Sequence, residues 1–196
     1  MIYENKLKEQ QEKINLVKEY SAEHMPKLPY HNFEHAADVA DAAERLTGLE
    51  KLSSHQGFLL VTAAYLHDII YDIHGKDNEE RSAALAGDIL PKIAYTKREI
   101  EPVQGLILAT KIPTNPKSRL EEVMCDADVD NLGRADFLEK CELLRQERGV
   151  EDKKVWYSNT LKFLQGHGYY TESAKALGDE GKQRNLQRLY ELAKGV

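Results

Sequence analysis

Three short stretches carry residues that could do chemistry: Tyr30-His31-Asn32-Phe33-Glu34-His35, Leu66-His67-Asp68-Ile69-Ile70-Tyr71-Asp72, and Cys125-Asp126-Ala127-Asp128-Val129-Asp130-Asn131-Leu132-Gly133. Imidazole nitrogens mixed with carboxylate oxygens suit borderline divalent metals (Mn, Fe, Co, Ni or Zn) better than Ca. The pair His67-Asp68 matters most, because it follows the apolar run Phe58–Leu66. An imidazole and a carboxylate delivered together to a core are costly unless they are paired or bound to an ion. Taken singly, each group has an ordinary explanation. A histidine beside a core helix is more often hydrogen-bonded structure than a ligand, and any one of Asp126, Asp128 and Asp130 reads as the solvated edge of a helix.

The elements that must position these residues read as helices. Leu7, Ile14, Val17 and Tyr20 recur at near-helical intervals in a charged segment that Pro26 and Pro29 end. Asn32 is placed to cap a second helix running through Val39 to Leu46, closed by Thr47-Gly48. Ser53 or Ser54 opens a third, apolar almost all round, which should lie at the centre of the core and deliver His67-Asp68 at its end. Tyr71–Asp77 reads as a loop. Asp77-Asn78-Glu79-Glu80 and Thr96-Lys97-Arg98-Glu99 have the form of capping boxes. Another helix runs from Ser118 through Asp128 to Leu132, and further helices fit Phe137–Glu147, Lys153–Leu164 and Lys182–Ala193. No stretch alternates with period two. The expected fold is therefore all-α, a single helical bundle over residues 1–196 with helical extensions at both ends.

Composition narrows the class. The chain has 196 residues, 41% hydrophobic and 31% charged, with a formal net charge of -6. That balance excludes broad electrostatic attraction to a nucleic-acid duplex. Two cysteines without a Cys-x-x-Cys pair, an N-terminal stretch with no apolar core, and no apolar run long enough for a bilayer predict a cytoplasmic protein with no membrane partner.

The order His, then His-Asp, then Asp, each on an expected helix, resembles the HD-domain superfamily of metal-dependent phosphohydrolases. Tyr30-His31-Asn32 with His35, Tyr71-Asp72 after His67-Asp68, Asn78-Glu79-Glu80-Arg81-Ser82-Ala83, and Asp126-Ala127-Asp128 with Leu132-Gly133 resemble one bacterial branch of it. Leu144-Arg145-Gln146-Glu147, Tyr169-Tyr170-Thr171 and Arg184-Asn185-Leu186 extend the likeness over nearly the whole chain. The resemblance implies an HD-type fold and one divalent transition metal (Mg also admitted) held by His35, His67, Asp68 and Asp128, with Asp126 as the alternative fourth ligand. No histidine follows His74 before the last aspartate, where two-metal members carry extra ones, so a single ion is expected.

The implied reaction is hydrolysis of a phosphomonoester or nucleotide by a metal-activated water. The partner is then a small phosphorylated substrate. Asp72, Glu79 and Glu80 are candidates to take the water's proton, and His31 to touch substrate or protonate a leaving group. Arg81, Lys111 and Arg145 are candidate phosphate contacts, although a solvated lysine at a helix end explains Lys111 equally well. The alternative is a regulatory module that binds metal and nucleotide without turnover. Asp126 and Asp128 should point about 200° apart on a helix. The stripe Leu120, Val123, Met124, Ala127 sets the buried side, and Asp128 is expected nearer to it than Asp126.

Overall fold

The computed structural model describes residues 2–194, with side chains from Glu4 onward; the ends of the expected 1–196 domain lie outside that range. Among the described residues all regular structure is helical: α1 (Ile2–His24), α2 (Phe33–Leu49), α3 (Ser54–Leu66), α4 (Asn78–Ile89), α5 (Lys97–Ala109), α6 (Arg119–Asp128), α7 (Phe137–Glu147), α8 (Lys153–Gly166) and α9 (Glu172–Lys194). Short 3₁₀ turns cover Leu90–Ile93 and Asp130–Gly133.

Helix α3 lies at the centre, as its all-round apolarity predicts. It packs against α1, α2, α5 and α6, and Leu60, Ala63, Ala64 and Leu66 are completely buried. The Ser53 hydroxyl accepts from the Gln56 N–H, and the Gln56 side chain accepts from the Ser53 N–H, so its start is fixed by a capping box. Asn32 caps α2 through its side-chain oxygen, which accepts from the N–H groups of Glu34 and His35. That cap sets the phase of α2 and thereby places His35.

Four elements differ from their expected form. Helix α3 stops at Leu66, so His67 and Asp68 lie in the turn after it rather than on it. His67 keeps helical dihedrals (φ -61°, ψ -37°) at the C-cap, so the pair leaves the helix end about 100° apart and meets at one point beside it. The Asp77–Glu80 capping box does not form: the Asp77 side chain makes no cap bond, and Glu80 pairs with Lys111 instead. Helix α6 ends at Asp128 and gives way to the 3₁₀ turn. Helix α9 starts ten residues before the expected Lys182. The glycines that obscure its first half serve a close approach, since a Cβ on Gly133 would meet the Gly178 carbonyl oxygen at 2.5 Å and one on Gly181 would collide with the Gly133 carbonyl. Asn185 then ties the two segments together, donating to the carbonyls of Leu132 and Arg134, each at 2.9 Å.

Candidate metal centre and cleft

His35, His67, Asp68 and Asp128 come from three separate segments and meet at one place. His67 Nε2 stands 3.3 Å from His35 Nε2, 3.1 Å from Asp68 Oδ2 and 3.2 Å from Asp128 Oδ1. His35 Nε2 stands 3.6 Å from Asp68 Oδ2 and 3.4 Å from Asp128 Oδ1. Bonds of about 2.0–2.2 Å to one first-row ion, at angles between octahedral and tetrahedral, put neighbouring ligand atoms about 2.8–3.6 Å apart. These five of the six separations fall in that window, Asp68 joining the group through the two histidines. The ligand atoms of His35, His67 and Asp128 all lie within 4.8 Å of one another.

The chemistry of the donors fits as well. His67 is 1% exposed, and its Nδ1 lies 2.8 Å from the Ala64 carbonyl oxygen. A carbonyl can only accept, so Nδ1 carries the proton and Nε2 presents its lone pair to the cluster. Burial works against charge at all four groups. It lowers the pKa of His35, whose bond to Asp128 only partly offsets it. At Asp128 burial alone would push the carboxyl up, but the charge of His67 and the bonds from His35 and His67 outweigh it and hold it well below the usual carboxylate range. The ion-pair partners of Asp68 and Asp128 among the described residues are histidines. A buried and a half-buried carboxylate facing imidazoles leave a demand for positive charge that a divalent ion answers.

Asp126 faces elsewhere. Its carboxylate accepts from the backbone N–H of Tyr170 at 2.8 Å and of Thr171 at 2.7 Å, which anchors the segment leading into α9. It is 1% exposed, whereas the Asp128 side chain is 18% exposed. Lying nearer the apolar stripe, as the sequence leads one to expect of Asp128, does not make it the more buried of the two. Helix α6 is buried on both sides, by the core and by the approach to α9, and Val123 through Ala127 are all buried.

Helix α4 holds the turn after Asp68. The Asn78 side chain accepts from Asp72 N–H at 3.0 Å and donates to the Asp72 carbonyl at 2.9 Å. The Ser82 hydroxyl accepts from Ile70 N–H and donates to the Ile70 carbonyl. Asp72 is thus part of a loop closure, with its carboxylate accepting from His74 N–H, and does not line the cleft.

The cluster opens into a cleft of about 690 Å³, within the usual range for small-molecule sites. Of the candidates for proton transfer, His31 and Glu79 line it, and Asp72 and Glu80 do not. Of the candidate phosphate contacts only Lys111 does, with its ammonium held by Glu80 and the Lys76 carbonyl. Arg81 is exposed and faces Asp77 at 4.0 Å. Arg145 donates to Glu142 and to the Val150 carbonyl. The cations missed by the sequence reading are Lys76, Lys140 and Arg148. The sequence alone offers no signal for them; once Leu144 is seen to line the cleft, Glu147 and Arg148, three and four residues on, fall on its side, whereas Arg145 is turned about 100° away. Phe137, Leu144, Trp156 and Phe163 add an apolar wall from α7 and α8, with Asn159 among them.

His31 sits between the cluster and this wall. Its Nδ1 is 2.5 Å from Glu147 Oε1, its Nε2 is 3.8 Å from Asp68 Oδ2, and its ring stacks on Tyr71 with centroids 3.6 Å apart. Arg148 donates to the Tyr71 hydroxyl at 2.5 Å and to the Ile73 carbonyl, which holds the stacking ring in place.

Comparison with known proteins agrees with this geometry. The family described as HD domain matches residues 32–131, which span the second, third and sixth helices with all four clustered residues. No curated protein sequence matches the chain. Among solved structures the chain is similar to Bacillus subtilis YpgQ in complex with ADP, at 21% identity and a TM-score of 0.73, covering 96% of this chain and 97% of that one. A second crystal structure of Bacillus subtilis YpgQ gives 18% identity and a TM-score of 0.73 over 95% and 97%, and its selenomethionine form 19% and 0.70 over 96% of each chain. These likenesses establish the fold.

Proposed function

The chain belongs to the HD-domain family, and from that premise we propose that it hydrolyses a phosphate ester of a nucleotide with one divalent transition metal held by His35, His67, Asp68 and Asp128. The observation that carries the reading is the set of ligand-atom separations of 3.1–3.6 Å at the mouth of a cleft that also has cations and an aromatic wall. When bound, the ion supplies Lewis-acid polarisation of a phosphoryl oxygen and acidifies water.

The protein's own residues do the rest. Lys111, Lys140 and Arg148 line the cleft and hold non-bridging phosphate oxygens. Glu79 takes one proton from the attacking water as its oxygen bonds to phosphorus. The bond from phosphorus to the leaving oxygen breaks, its electron pair stays on that oxygen, and His31 Nε2 gives it a proton. Glu79 and His31 then exchange protons with solvent, and the sum is ester plus water giving phosphate plus alcohol. Trp156 and Phe163 offer flat apolar area for a base, and Asn159 offers a donor and an acceptor for its edge. Support for a nucleotide also comes from the solved YpgQ complex with ADP.

The test is purified protein, freed of metal and reloaded with Mn, Co, Ni or Mg, against a panel of nucleotides and simple phosphomonoesters. Phosphate release that depends on the metal and favours nucleotides is the expected result. Nucleotide binding with no turnover under any metal would replace the enzyme by a metal- and nucleotide-binding regulatory module.

A further inference from the structure

Glu147 is a buried carboxylate with no place in the reaction as written. Its side chain is completely buried, at the last position of α7, and it accepts three hydrogen bonds. Two come from the backbone N–H groups of Tyr30 and His31 at 2.9 and 2.8 Å, onto Oε2, and the third comes from His31 Nδ1 onto Oε1 at 2.5 Å. Its partners lie 116 and 117 residues away in sequence. A structural carboxylate would be satisfied by the two backbone donors. The third bond, to a ring that faces the cleft, does something more specific.

A carboxylate can only accept, so the bond to Oε1 requires a proton on His31 Nδ1, and the proton given to the leaving oxygen is a second one, carried on Nε2 of the doubly protonated ring. That fixes the ring's rotation and leaves Nε2 as the atom turned to the cleft, on the Asp68 side. Tyr71 stacked against one face of the ring blocks the remaining tilt. The ring is thus held by an in-plane anchor and a facial one, and Glu147 supplies the in-plane anchor. The main-chain bonds add to this, because the same carboxylate fixes the backbone from which the ring projects.

We propose that Glu147 is the positioning residue of the reaction: it acts through His31, orienting Nε2 toward the leaving oxygen of the substrate. The inference rests on the hydrolase reading above. Losing the orientation lowers the turnover step and leaves substrate affinity nearly untouched, since Glu147 itself is sealed from the cleft.

A double-mutant cycle on the metal-loaded protein tests this. His31→Ala removes the proton donor and lowers kcat about 10²–10⁴-fold. Glu147→Gln keeps the volume but turns an N–H₂ group toward N–H donors; it lowers kcat about tenfold or more with little change in KM. In the His31→Ala background Glu147→Gln costs nothing further, within about threefold, and Glu147→Asp recovers part of the loss. A second readout needs neither metal nor turnover. In ¹⁵N-histidine-labelled protein the His31 Nδ1 proton resonates far downfield in the wild type, and the signal disappears in Glu147→Gln. Equal losses from Glu147→Gln in both backgrounds would overturn the inference, as would a downfield proton that persists without Glu147. Wild-type protein that shows the resonance but hydrolyses nothing overturns the hydrolase reading, and with it any catalytic role for the pair.

Discussion

Asp126→Ala should unfold the protein more easily and leave its metal in place. The Asp126 carboxylate accepts two backbone bonds, at 2.8 and 2.7 Å, from Tyr170 and Thr171. Bonds to an ionised acceptor contribute about 1.5–3 kcal/mol each. Burial pushes the Asp126 carboxyl up against those two bonds, so part of the gain is spent on desolvation. Truncation also strands two donors in an interior where Thr171 is completely buried. The net cost is about 2–4 kcal/mol, or about 4–16 °C in melting temperature for a chain of this size. Thermal and urea unfolding measure the loss, and metal analysis of the same samples measures the site. The Asp128→Ala variant supplies the contrast, losing metal without a comparable loss of stability in the metal-free form. Metal lost from Asp126→Ala with its melting temperature unchanged would refute the assignment of these two aspartates.

Chelation should lower the wild-type melting temperature and readdition of metal restore it, by about 2.7 kcal/mol when free metal stands a hundredfold above its dissociation constant; Asp128→Ala should show no such response in differential scanning calorimetry. His167 is held down to about 4, first by burial and then by the neighbouring Lys182. The unfolded chain then binds the proton more readily than the folded one, so stability should fall as pH drops from about 6.5 toward 4, and His167→Gln should flatten that part of a urea-midpoint profile against pH. Gly181→Ala forces a Cβ into the Gly133 carbonyl and should cost about 1–3 kcal/mol or more, read as a shift in urea midpoint while nucleotide turnover at low temperature persists.

How much of this was legible in the sequence varied with the kind of signal. The helices with strong caps and apolar faces, α2, α3 and α5, were readable because local chemistry sets them. Helix α1 was readable as a helix, but its buried face was not. Leu7 is 37% exposed, while Gln10, Lys13 and Ser21 are buried beside Val17. Gln10 and Ser21 are accommodated by distant partners, His55 and the Tyr65 carbonyl, which nothing local announces, and Lys13 by Glu9 one turn back at 2.8 Å and by Glu99 at 3.8 Å. Helix α9 was lost at its start because glycine opposes a helix locally, and only the approach of the 133 carbonyl explains its use. The four clustered residues were readable as a set because their order in the chain resembles a family. Separating them from ordinary histidines took distances.

The same contrast explains why the residues around the metal cluster were chosen less well than the cluster itself. Arg145 and Arg81 were picked for charge, yet a guanidinium is committed by its surroundings, and both are turned outside the cleft. The residues that do shape the site are mostly polar side chains gripping backbone: Asn78 on Asp72, Ser82 on Ile70, Glu147 on Tyr30 and His31, Asn185 on Leu132 and Arg134. Asn78 and Ser82 sit on the helix that follows the turn they hold, whereas Glu147 and Asn185 come from helices remote in sequence; all four act on groups that every residue carries, so side-chain patterning gives no hint of them. A metal site assembled from turns and helix ends needs such braces, because the ends of helices have unpaired N–H and carbonyl groups and are otherwise the least fixed part of a bundle. His67, Asp68 and Asp128 all lie at such ends. The fold thus brings its ligands together at helix ends and fixes them with side chains whose substitution will register first as lost stability or lost orientation, and only through those as lost chemistry.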